Sequence, residues 1–576
     1  MARTYLGYTQ TAANADLDAI VEAIGGIPSV AAYGAVGTGL QASAATNTTA
    51  FRAALAAAAA SDAKRIYVPA GEYVLDDNLT FVGGTHDGIT LFGDGPGSVL
   101  ILADAPNSAN VEAGWMVMLD GTALAPLRNV RITGLALDGA KGSTTWSDTS
   151  NGIVAYTDAV LENCQVDNVW THDFLTNGII AYTGGIRFTG IHSYNNDSHG
   201  LAVSVDNTFT DVCEVYQLTA HGNAGYGLDA GRGCRTFVRG VESYENTEGG
   251  FKYSIGTILL DIDGVHVYNN GTAGVSGPGF TDTDTTGDGI ILIGSVVTHD
   301  NAGPGFRATS ANTLSIGRVV SYDNDCYVAS SVALYDILVG GGVLLDYFSV
   351  GYLRSENAPN SGILIDGVVH AYQIGAVECV GAQDAGFLDN TTGPTNGVLL
   401  SGIFRNNNKA ATAGAAGAAL QVETTGTFKA LGCTFTDDQG SPTQVSGMRF
   451  TSGIKAHVDA CHFGTGISAT GHIYSSTAGT VVTFGNGNTG LVARASGTGT
   501  VNGGGTTATL TYGTALTNLG GVVLFPLVYP SSADAAEANY VSSVSVTETV
   551  VTCPTTFAAG AGNVAFRYDV RMEIQR

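Results

Sequence analysis

The segments GVESYEN (residues 240–246) and GVHVYNN (residues 264–270) carry the pattern that decides the fold. In both, apolar and polar residues alternate, which is the period of a half-buried β-strand. Each segment ends on an asparagine, and most such asparagines are followed four residues later by a glycine and an apolar residue. Seven asparagines recur at intervals of 23 to 33 residues: Asn196, Asn223, Asn246, Asn270, Asn301, Asn324 and Asn357. A repeat of this length, with longer intervals where loops are inserted, indicates stacked coils.

This repeat predicts an all-β fold, a right-handed parallel β-helix with two or three short strands in each coil. A leucine-rich repeat has a similar period, but it needs a regular leucine lattice and a helical return, and the sequence shows neither. Asparagine suits the turn between strands because it tolerates the left-handed backbone conformation. Stacked asparagines can also hydrogen-bond along the coil axis. The long faces of such a coil suit a linear ligand.

The composition limits the possible partners. The 80 glycines and the 13% of charged residues fit a tightly turned, β-rich chain of 576 residues. A formal net charge of −26 argues against nucleic acid, and no apolar run has transmembrane length, so membrane insertion is not expected. The eight cysteines form no CxxC pair, which favours buried free thiols over metal ligands or disulfides. The N-terminus MARTYLGYTQ lacks a secretory signal pattern, which predicts assembly in a cytoplasm.

Changes in pattern divide the chain into four parts. Residues 13–24 have the apolar spacing of a short helix, for attachment or for capping the fold. An alanine-rich helix follows, with Asn47 or Thr48 near its start. The longer alternating strands near the C-terminus predict a small antiparallel β-sandwich, for trimerisation or sugar binding. The parts are an N-terminal helical or attachment segment, a capping helix with the first coils, the parallel β-helix and the sandwich, at residues 1–28, 29–105, 106–496 and 497–576.

The segments SVAAYGAVGTG (29–39) and VPAGEY (68–73), with the alanine-rich helix between them, resemble the N-terminal signature of the pectate-lyase-like β-helix superfamily. In that superfamily the helix closes the open end of the coil and the turn starts the first coil. Ala45–Thr46 stand here where the family has an acidic pair. The superfamily contains lyases, hydrolases, epimerases and binding proteins, so the resemblance implies the fold and leaves the chemistry open.

Residues 127–275 are similar to the catalytic module of bacterial mannuronan C5-epimerases. The Tyr-Gly-Phe-Asp-Pro-His motif of that family is matched most nearly by Tyr226–Gly227–Leu228–Asp229–Ala230–Gly231. Gly231 stands at the position of the family histidine, and Ser254 or Ile255 stands where the family has a further aspartate. The resemblance therefore implies a functional role for two of the four positions, Tyr226 and Asp229.

A charged column is predicted on one face of the coil, since the residue after each inward apolar position points outward. The column reads Val154, Ile180, Ala202, Asp229, Lys252, Ser276 and Arg307. Asp229 and Lys252 would lie on adjacent strands, about 4.8 Å apart. Four basic residues fall within 21 positions of a chain that has only 24: Arg232, Arg235, Arg239 and Lys252. The candidate catalytic residues are therefore Asp229, Lys252, Arg307 and Arg232, and the candidate substrate-binding residues include Arg235 and Arg239.

Two chemistries need such a charged patch. A uronate lyase needs a base near the C5 proton of the sugar and a cation for the carboxylate, roles that lysine and arginine can share. A glycoside hydrolase needs two carboxylates about 5 to 9 Å apart, which Asp229 and Glu242, or an acid of a neighbouring chain, would supply. The structural alternative is a ladder of ion pairs, because opposite charges on adjacent strands stabilise a sheet slightly.

A second column holds one ring in each coil, two residues before the asparagine: Tyr194, His221, Tyr244, Tyr268, His299 and Tyr322. Flat rings suit the apolar faces of sugars, so these are further candidate substrate-binding residues. Stacking of the rings on one another is the alternative. The loop TDTDTTGDG (281–289) offers Asp282, Asp284 and Asp288 to Ca²⁺, but it lacks a closing bidentate glutamate, so we expect no metal or cofactor.

The strands YVSSVSVTETVV (540–551) and AFRYDV (565–570) resemble the C-terminal module of phage tail fibres and tailspikes. With the β-helix, this resemblance implies a phage-type tailspike in the virion tail, a homotrimer assembled in the host cytoplasm and attached through its N-terminus. It would bind and depolymerise a host surface polysaccharide, to which the basic residues are suited if the polymer is anionic. The alternatives are a secreted alginate-type lyase or C5-epimerase, and a non-catalytic adhesin or structural β-helix.

Overall fold

The computed structural model divides into two compact units, residues 1–302 and 303–576. The N-terminal helix predicted at 13–24 lies outside the described residues. Among the residues that are described, no helix is long and apolar enough to cross a membrane. The structure describes residues 27–104, 114–142, 150–156, 159–203, 212–230, 235–253, 259–271, 280–282, 290–308, 313–324, 327–328, 331–332, 335–340, 345–407, 418–438, 446–450, 453–464, 473–475, 481–484, 488, 492–501, 507–511, 515–516, 522–530, 545–546, 550–554 and 564–574.

An α-helix at Ala44–Ala60 opens the described part of the first unit, after 3-10 turns at Val30–Tyr33 and Gln41–Ser43. Asn47 and Thr48 lie within this helix and are buried, because their side chains tie it to the first coil rather than capping it. The Asn47 amide donates to the carbonyl of Val74 at 3.1 Å, and the Thr48 hydroxyl donates to Asp76 at 2.7 Å. The predicted helix is therefore present and attached to the coil by polar contacts.

Parallel strands build the first unit. One set, which we call sheet 1, consists of Arg65–Val68, Gly71–Leu75, Thr90–Gly93, Ser98–Leu102, Arg131–Asp138, Cys164–His172, Ile186–Tyr194, Val212–His221, Arg235–Tyr244, Leu259–Tyr268 and Ile290–His299. A second set, sheet 2, consists of Leu79–Val82, Trp115–Asp120, Asn151–Ala155, Ile179–Ala181, Leu201–Val203, Tyr226–Ala230, Gly249–Tyr253 and Phe280–Asp282. A short parallel pair joins Leu127–Arg128 to Leu161–Glu162. The predicted parallel β-helix is thus confirmed in this unit.

Apolar side chains stack inside the coil in register. Val215 pairs with Val238, and Val238 pairs with Ile262 on the next strand of sheet 1. All three are fully buried, as are Leu228 and Phe251 on sheet 2. One continuous row of side chains per strand position fills the interior, and this burial is the main source of stability in such a repeat.

The buried asparagines form a hydrogen-bonded ladder, as the repeat predicts. Each side-chain amide donates to the side-chain oxygen of the next, from Asn196 to Asn223 at 2.8 Å, Asn246 at 2.9 Å, Asn270 at 3.0 Å and Asn301 at 2.9 Å. The left-handed turn residue is usually the one before the asparagine, such as Glu245 with φ +55°. The expectation that the asparagine itself takes this conformation holds at Asn357, with φ +57°, and is wrong for the five asparagines of the ladder, where the preceding residue makes the turn.

The second unit repeats the parallel arrangement and ends in antiparallel strands. Its parallel strands are Phe306–Ala308, Thr313–Tyr322, Tyr335–Gly340, Leu345–Glu356, Ser361–Gly367, Val369–Val380, Phe387–Thr391, Pro394–Leu399, Gly402–Arg405, Ala418–Val422, Thr425–Leu431, Cys433–Thr436, Ser446–Phe450, Lys455–Asp459, His462–Phe463, Ile473–Ser475, Val481–Phe484 and Ala515–Leu516. Antiparallel pairs join Tyr327–Val328 to Ser331–Val332, Val564–Ile574 to Val492–Val501 and Val522–Pro530, and Val550–Pro554 to Thr507–Thr511 and Ser545–Val546. The antiparallel C-terminal region begins with Val492–Val501, a strand that runs through the division expected at residue 497.

Five described cysteines are buried free thiols: Cys164, Cys213, Cys379, Cys433 and Cys461. Burial raises the pKa of Cys164 to about 11 and raises the pKa of Cys379 well above its ordinary value. Such protonated thiols behave as small core residues, in agreement with the expectation from their spacing.

Candidate active site

The outward column of sheet 2 holds a polar cluster. Ala202, Asp229, Lys252 and Thr281 occupy successive register positions on four adjacent strands. Ser276, expected in this column, lies outside the described residues, and Thr281 pairs with Lys252 because the strand of that coil is Phe280–Asp282. The neighbours Leu228 and Phe251 point inward and are fully buried, so alternation directs Asp229 and Lys252 outward.

Two nitrogen groups converge on one carboxylate oxygen in this cluster. Lys252 Nζ lies 3.3 Å from Asp229 Oδ2, and His199 Nε2 lies 3.6 Å from the same atom. The side chains of Asp229, His199 and Lys252 are 15%, 20% and 22% exposed. The three groups are therefore close enough to act together, and each still reaches solvent.

The protonation of His199 is set by its surroundings. Its Nδ1 atom accepts a hydrogen bond from the backbone N–H of Tyr226 at 2.9 Å, so the neutral imidazole carries its hydrogen on Nε2. Burial lowers the pKa of His199, Lys252 lowers it further, and the charges of Asp229 and Glu248 oppose this effect. At neutral pH His199 is thus an uncharged ring whose Nε2–H faces Asp229.

Tyr226 completes the cluster. The Lys252 ammonium lies over its ring, 5.2 Å from the centroid, a distance at which cation–π attraction contributes. The ring centroids of Tyr226 and His199 are 5.9 Å apart. An aromatic ring therefore contacts both nitrogen groups and helps to fix where they point.

Two of the other basic candidates lie on sheet 1 and not in this cluster. Arg239 lies on sheet 1, where its guanidinium donates to Asp261 at 2.7 Å, and Arg235 is an exposed residue at the start of the same strand. Arg307 belongs to the second unit, exposed and in register with Leu338. Arg232 lies outside the described residues. Residues that are close in sequence are separated here because each coil carries the chain from one sheet to the other.

Glu242, the predicted second carboxylate, also lies on sheet 1. It accepts a hydrogen bond from the Tyr268 hydroxyl at 3.0 Å. Burial and this contact raise the pKa of Tyr268 to about 12. The partner of Glu242 is therefore a ring of the second predicted column, and Asp229 is on another sheet.

The second column forms a continuous stack in the first unit. The rings of Tyr194, His221, Tyr244, Tyr268 and His299 lie 4.8 to 5.2 Å apart with interplanar angles of 3 to 10°, and His172 extends the stack beyond Tyr194. Tyr322 lies in the second unit and is half-buried. Because the ring faces cover one another, a sugar could reach only the edges and hydroxyl groups of this stack.

The structure describes only one of the three aspartates predicted as calcium ligands. Asp284 and Asp288 lie outside the described residues, and Asp282 ends the strand Phe280–Asp282. In the described part of the first unit, Asp138, His172 and Asp173 bring three ligand atoms within 4.8 Å of one another and could hold a divalent cation. The His172 Nδ1 atom is also 2.8 Å from Asp173 Oδ2, which is an ordinary hydrogen bond between neighbours.

The sequence pattern did not single out His199 as a candidate. The position before the repeat glycine reads Asn151, Asn177, His199, Tyr226 and Gly249 in successive coils. These five positions hold four different residue types, so this column lacks the regular repeat of the asparagines and the rings. The position of His199 in its coil could have identified it. His199 precedes the repeat glycine of its coil, as Tyr226 precedes the repeat glycine of the next coil in the quoted motif.

Comparisons with known proteins give structural similarities at low identity. No family model matches the chain, and no curated protein matches it. The tailspike gp49 of Pseudomonas phage LKA1 is 10% identical with a TM-score of 0.38, over 95% of this chain and 100% of that one. The tailspike of E. coli bacteriophage HK620, solved with a pentasaccharide, is 10% identical with a TM-score of 0.35, over 100% and 96%. The A-module of a mannuronan C-5 epimerase from Azotobacter vinelandii is 15% identical with a TM-score of 0.30, over 80% and 99%.

Proposed function

We propose that the chain binds a polysaccharide along sheet 2 and abstracts the proton α to the carboxylate of a uronate residue at the cluster of His199, Tyr226, Asp229 and Lys252. One observation carries the proposal: Asp229 Oδ2 lies 3.3 Å from Lys252 Nζ and 3.6 Å from His199 Nε2. Proton abstraction beside a carboxylate needs a base, a cation and a hydrogen-bond donor at one point, and these three side chains supply them.

The roles follow from the charges. Lys252 exchanges Asp229 for the substrate carboxylate, and the Nε2–H of His199 donates to that carboxylate as negative charge develops on it. Asp229, released from the ion pair, takes the C5 proton. The C5–H electron pair forms the C4–C5 double bond, and the glycosidic oxygen leaves C4 with its bonding pair and takes a proton from water. Return of a proton to the opposite face of C5 would instead give epimerisation.

A glycoside hydrolase is the second candidate, favoured by one observation. Both Asp229 and Glu248 raise the pKa of His199, so two carboxylates act electrostatically on the same imidazole. Glu248 is exposed on the turn before Gly249–Tyr253. Two carboxylates flanking a glycosidic bond are the equipment of hydrolysis, with one as acid and the other as base or nucleophile.

For the biological role we propose a tailspike of a phage-type virion, assembled as a homotrimer and attached through its N-terminus. Support for self-association comes from four large apolar side chains of the second unit, Tyr347, Val368, Leu400 and Ile403, which are 41 to 50% exposed. Exposed apolar groups of this kind favour contact with another chain. Native mass spectrometry tests this part, and a monomer at micromolar concentration would contradict it and favour a free enzyme.

A panel of acidic and neutral polysaccharides tests the chemistry. Elimination yields both new reducing ends and the ultraviolet absorbance of an unsaturated uronate, whereas hydrolysis yields reducing ends alone. Epimerisation yields neither and is detected by NMR of the sugar protons. Asp229→Asn is the inactive reference in each assay. If the wild type binds a glycan but leaves it unchanged in all three assays, the enzymatic proposal is wrong and a non-catalytic adhesin remains.

A further inference from the structure

An apolar cluster covers the outward side of sheet 2 on the N-terminal side of the polar residues. Val154, Ile180 and Ala202 occupy the register positions that lead to Asp229, one on each of three successive strands. They are 0%, 7% and 4% exposed. An outward row of a single sheet is usually solvated and polar, so this buried apolar row needs a cover.

Aromatic side chains supply part of that cover. Trp115 and Tyr182 pack against the apolar row. The rings of Trp115 and Tyr156 lie 5.6 Å apart with an interplanar angle of 50°, and all three aromatic residues are only half-buried. Each of the three therefore keeps part of its surface accessible, and two carry a hydroxyl group that can hydrogen-bond.

We propose that Trp115, Tyr156 and Tyr182 form sugar-binding subsites continuous with the polar cluster, an inference that rests on the proposed function. The polymer then lies across the strands of sheet 2, from Asp229 towards Trp115. From Asp229 to Val154 is three strand spacings, about 15 Å, which is room for roughly three sugar rings. Accessible aromatic surface beside hydroxyl groups matches the alternating apolar and polar faces of a pyranose.

The apolar row and the charged cluster are adjacent in the register, and this adjacency indicates which ligand binds there. Ala202 stands directly between Ile180 and Asp229 in the register, so the row that Trp115 and Tyr182 cover reaches the charged cluster without an intervening bulky side chain. A ligand that uses both surfaces needs a carboxylate at one end and apolar ring faces along its length. An acidic polysaccharide has this combination. A second copy of the chain on the same surface is the competing occupant.

The test is the dependence of kinetics on substrate length. For Trp115→Ala and Tyr182→Ala we expect KM to rise about fivefold to tenfold on long oligosaccharides with kcat retained, since contacts remote from the reaction act on ground and transition states alike. KM for the shortest substrates should not change. Trp170→Ala is the matched control, because Trp170 stacks on His192 on sheet 1. Trp115→Phe, which keeps an apolar cover, checks that a loss does not come from misfolding.

The outcomes separate this inference from the proposed function. Unchanged KM in both alanine variants, with Asp229→Asn inactive, would overturn the subsites and leave the active site in place. If the wild type modifies no glycan, the proposed function fails, and binding measured by tryptophan fluorescence still tests the subsites. A change in oligomeric state of Trp115→Ala, with unchanged glycan affinity, would assign the surface to contact between chains and overturn the inference.

Discussion

The Nδ1 atom of His199 accepts the backbone N–H of Tyr226 at 2.9 Å. This hydrogen bond joins two adjacent coils of sheet 2 and leaves the Nε2 nitrogen to carry the hydrogen of the neutral ring. A base at Nε2 would need a free lone pair there. His199 is thus suited to donating a hydrogen bond, and Asp229 to accepting the proton.

His199→Asn should separate the structural and chemical roles of the ring. The asparagine oxygen can replace Nδ1 as acceptor for the Tyr226 amide, but it leaves no donor at the position of Nε2. We expect kcat on the true substrate to fall by about a hundredfold or more, the scale of losing one positioned donor, with the melting temperature nearly unchanged. Steady-state kinetics and calorimetry measure both. Full activity of this variant would exclude His199 from the reaction.

The pH dependence should have an acid limb from the same residue. Because burial lowers the pKa of His199 below 6.5, the ring becomes protonated in the folded protein only at lower pH, where Nδ1 can no longer accept the Tyr226 amide. We expect kcat/KM to fall there. The stability that this residue contributes is complete above pH 6.5 and is lost as the pH falls through the folded-state pKa. In His199→Asn, the part of both pH dependences that comes from this ring should be lost, and that loss would identify His199 as the titrating group. If kcat/KM and stability fall with pH as in the wild type, another group is responsible for the acid limb.

The ion pair of Asp229 and Lys252 can be tested against one on sheet 1. Asp229→Asn and Lys252→Met should each reduce turnover by at least about a hundredfold, the scale of losing a base or a charge stabiliser. Arg239→Ala removes a comparable ion pair with Asp261 and should leave kcat close to the wild type. Equal losses in all three variants, measured on one substrate, would mean that the charges act through stability or overall potential. Arg239→Ala also tests the expectation that this residue binds substrate.

The parts of the fold that repeat could be predicted, and the parts that depend on register could not. The asparagine ladder from Asn196 to Asn301 and the ring stack from Tyr194 to His299 repeat in successive coils, so spacing alone located them. Arg239 and Lys252 are 13 residues apart in sequence, yet the coil places them on different sheets. Thr281 and not Ser276 pairs with Lys252, because the strand of that coil begins at Phe280. His199 was not predicted, because a functional residue that occurs in only one coil produces no periodic pattern in the sequence.

Tyr244 allows the ring stack to be tested as a structural element or a sugar platform. Its ring lies 4.8 Å from His221 and 5.1 Å from Tyr268. Tyr244→Ala should lower the free energy of unfolding by about 1 to 2 kcal/mol through lost stacking. Tyr244→Phe keeps the stack and removes only the hydroxyl. A KM that rises in both variants would show that sugar reaches the ring edge, and a KM that stays constant in both would sink the platform interpretation.

The buried carboxyl group of Asp336, in the second unit, should make the stability of the protein depend on pH. This carboxylate is fully buried, and it accepts hydrogen bonds from Ser321 at 2.6 Å, Asn324 at 3.1 Å and Ser355 at 2.8 Å. Burial outweighs these contacts and raises its pKa from 3.8 to about 6. The folded chain therefore holds a proton that the unfolded chain releases. The stability from this group is complete below pH 3.8 and is lost as the pH rises to about 6, by roughly 3 kcal/mol at most.

Asp336→Asn should remove that pH dependence, because an amide stays neutral and can still meet the two serines and the asparagine. Relative to the wild type, the variant should gain stability as the pH rises through the window between 3.8 and about 6. Chemical denaturation on either side of the window measures the difference. Asp366→Asn is the control for replacing a carboxylate by an amide elsewhere in this unit, since Asp366 is half-buried and accepts a hydrogen bond from Asn390 at 3.0 Å. A constant offset between Asp336→Asn and the wild type at every pH would contradict the prediction, because it would mean that the carboxyl group has the same pKa in the folded and unfolded chains.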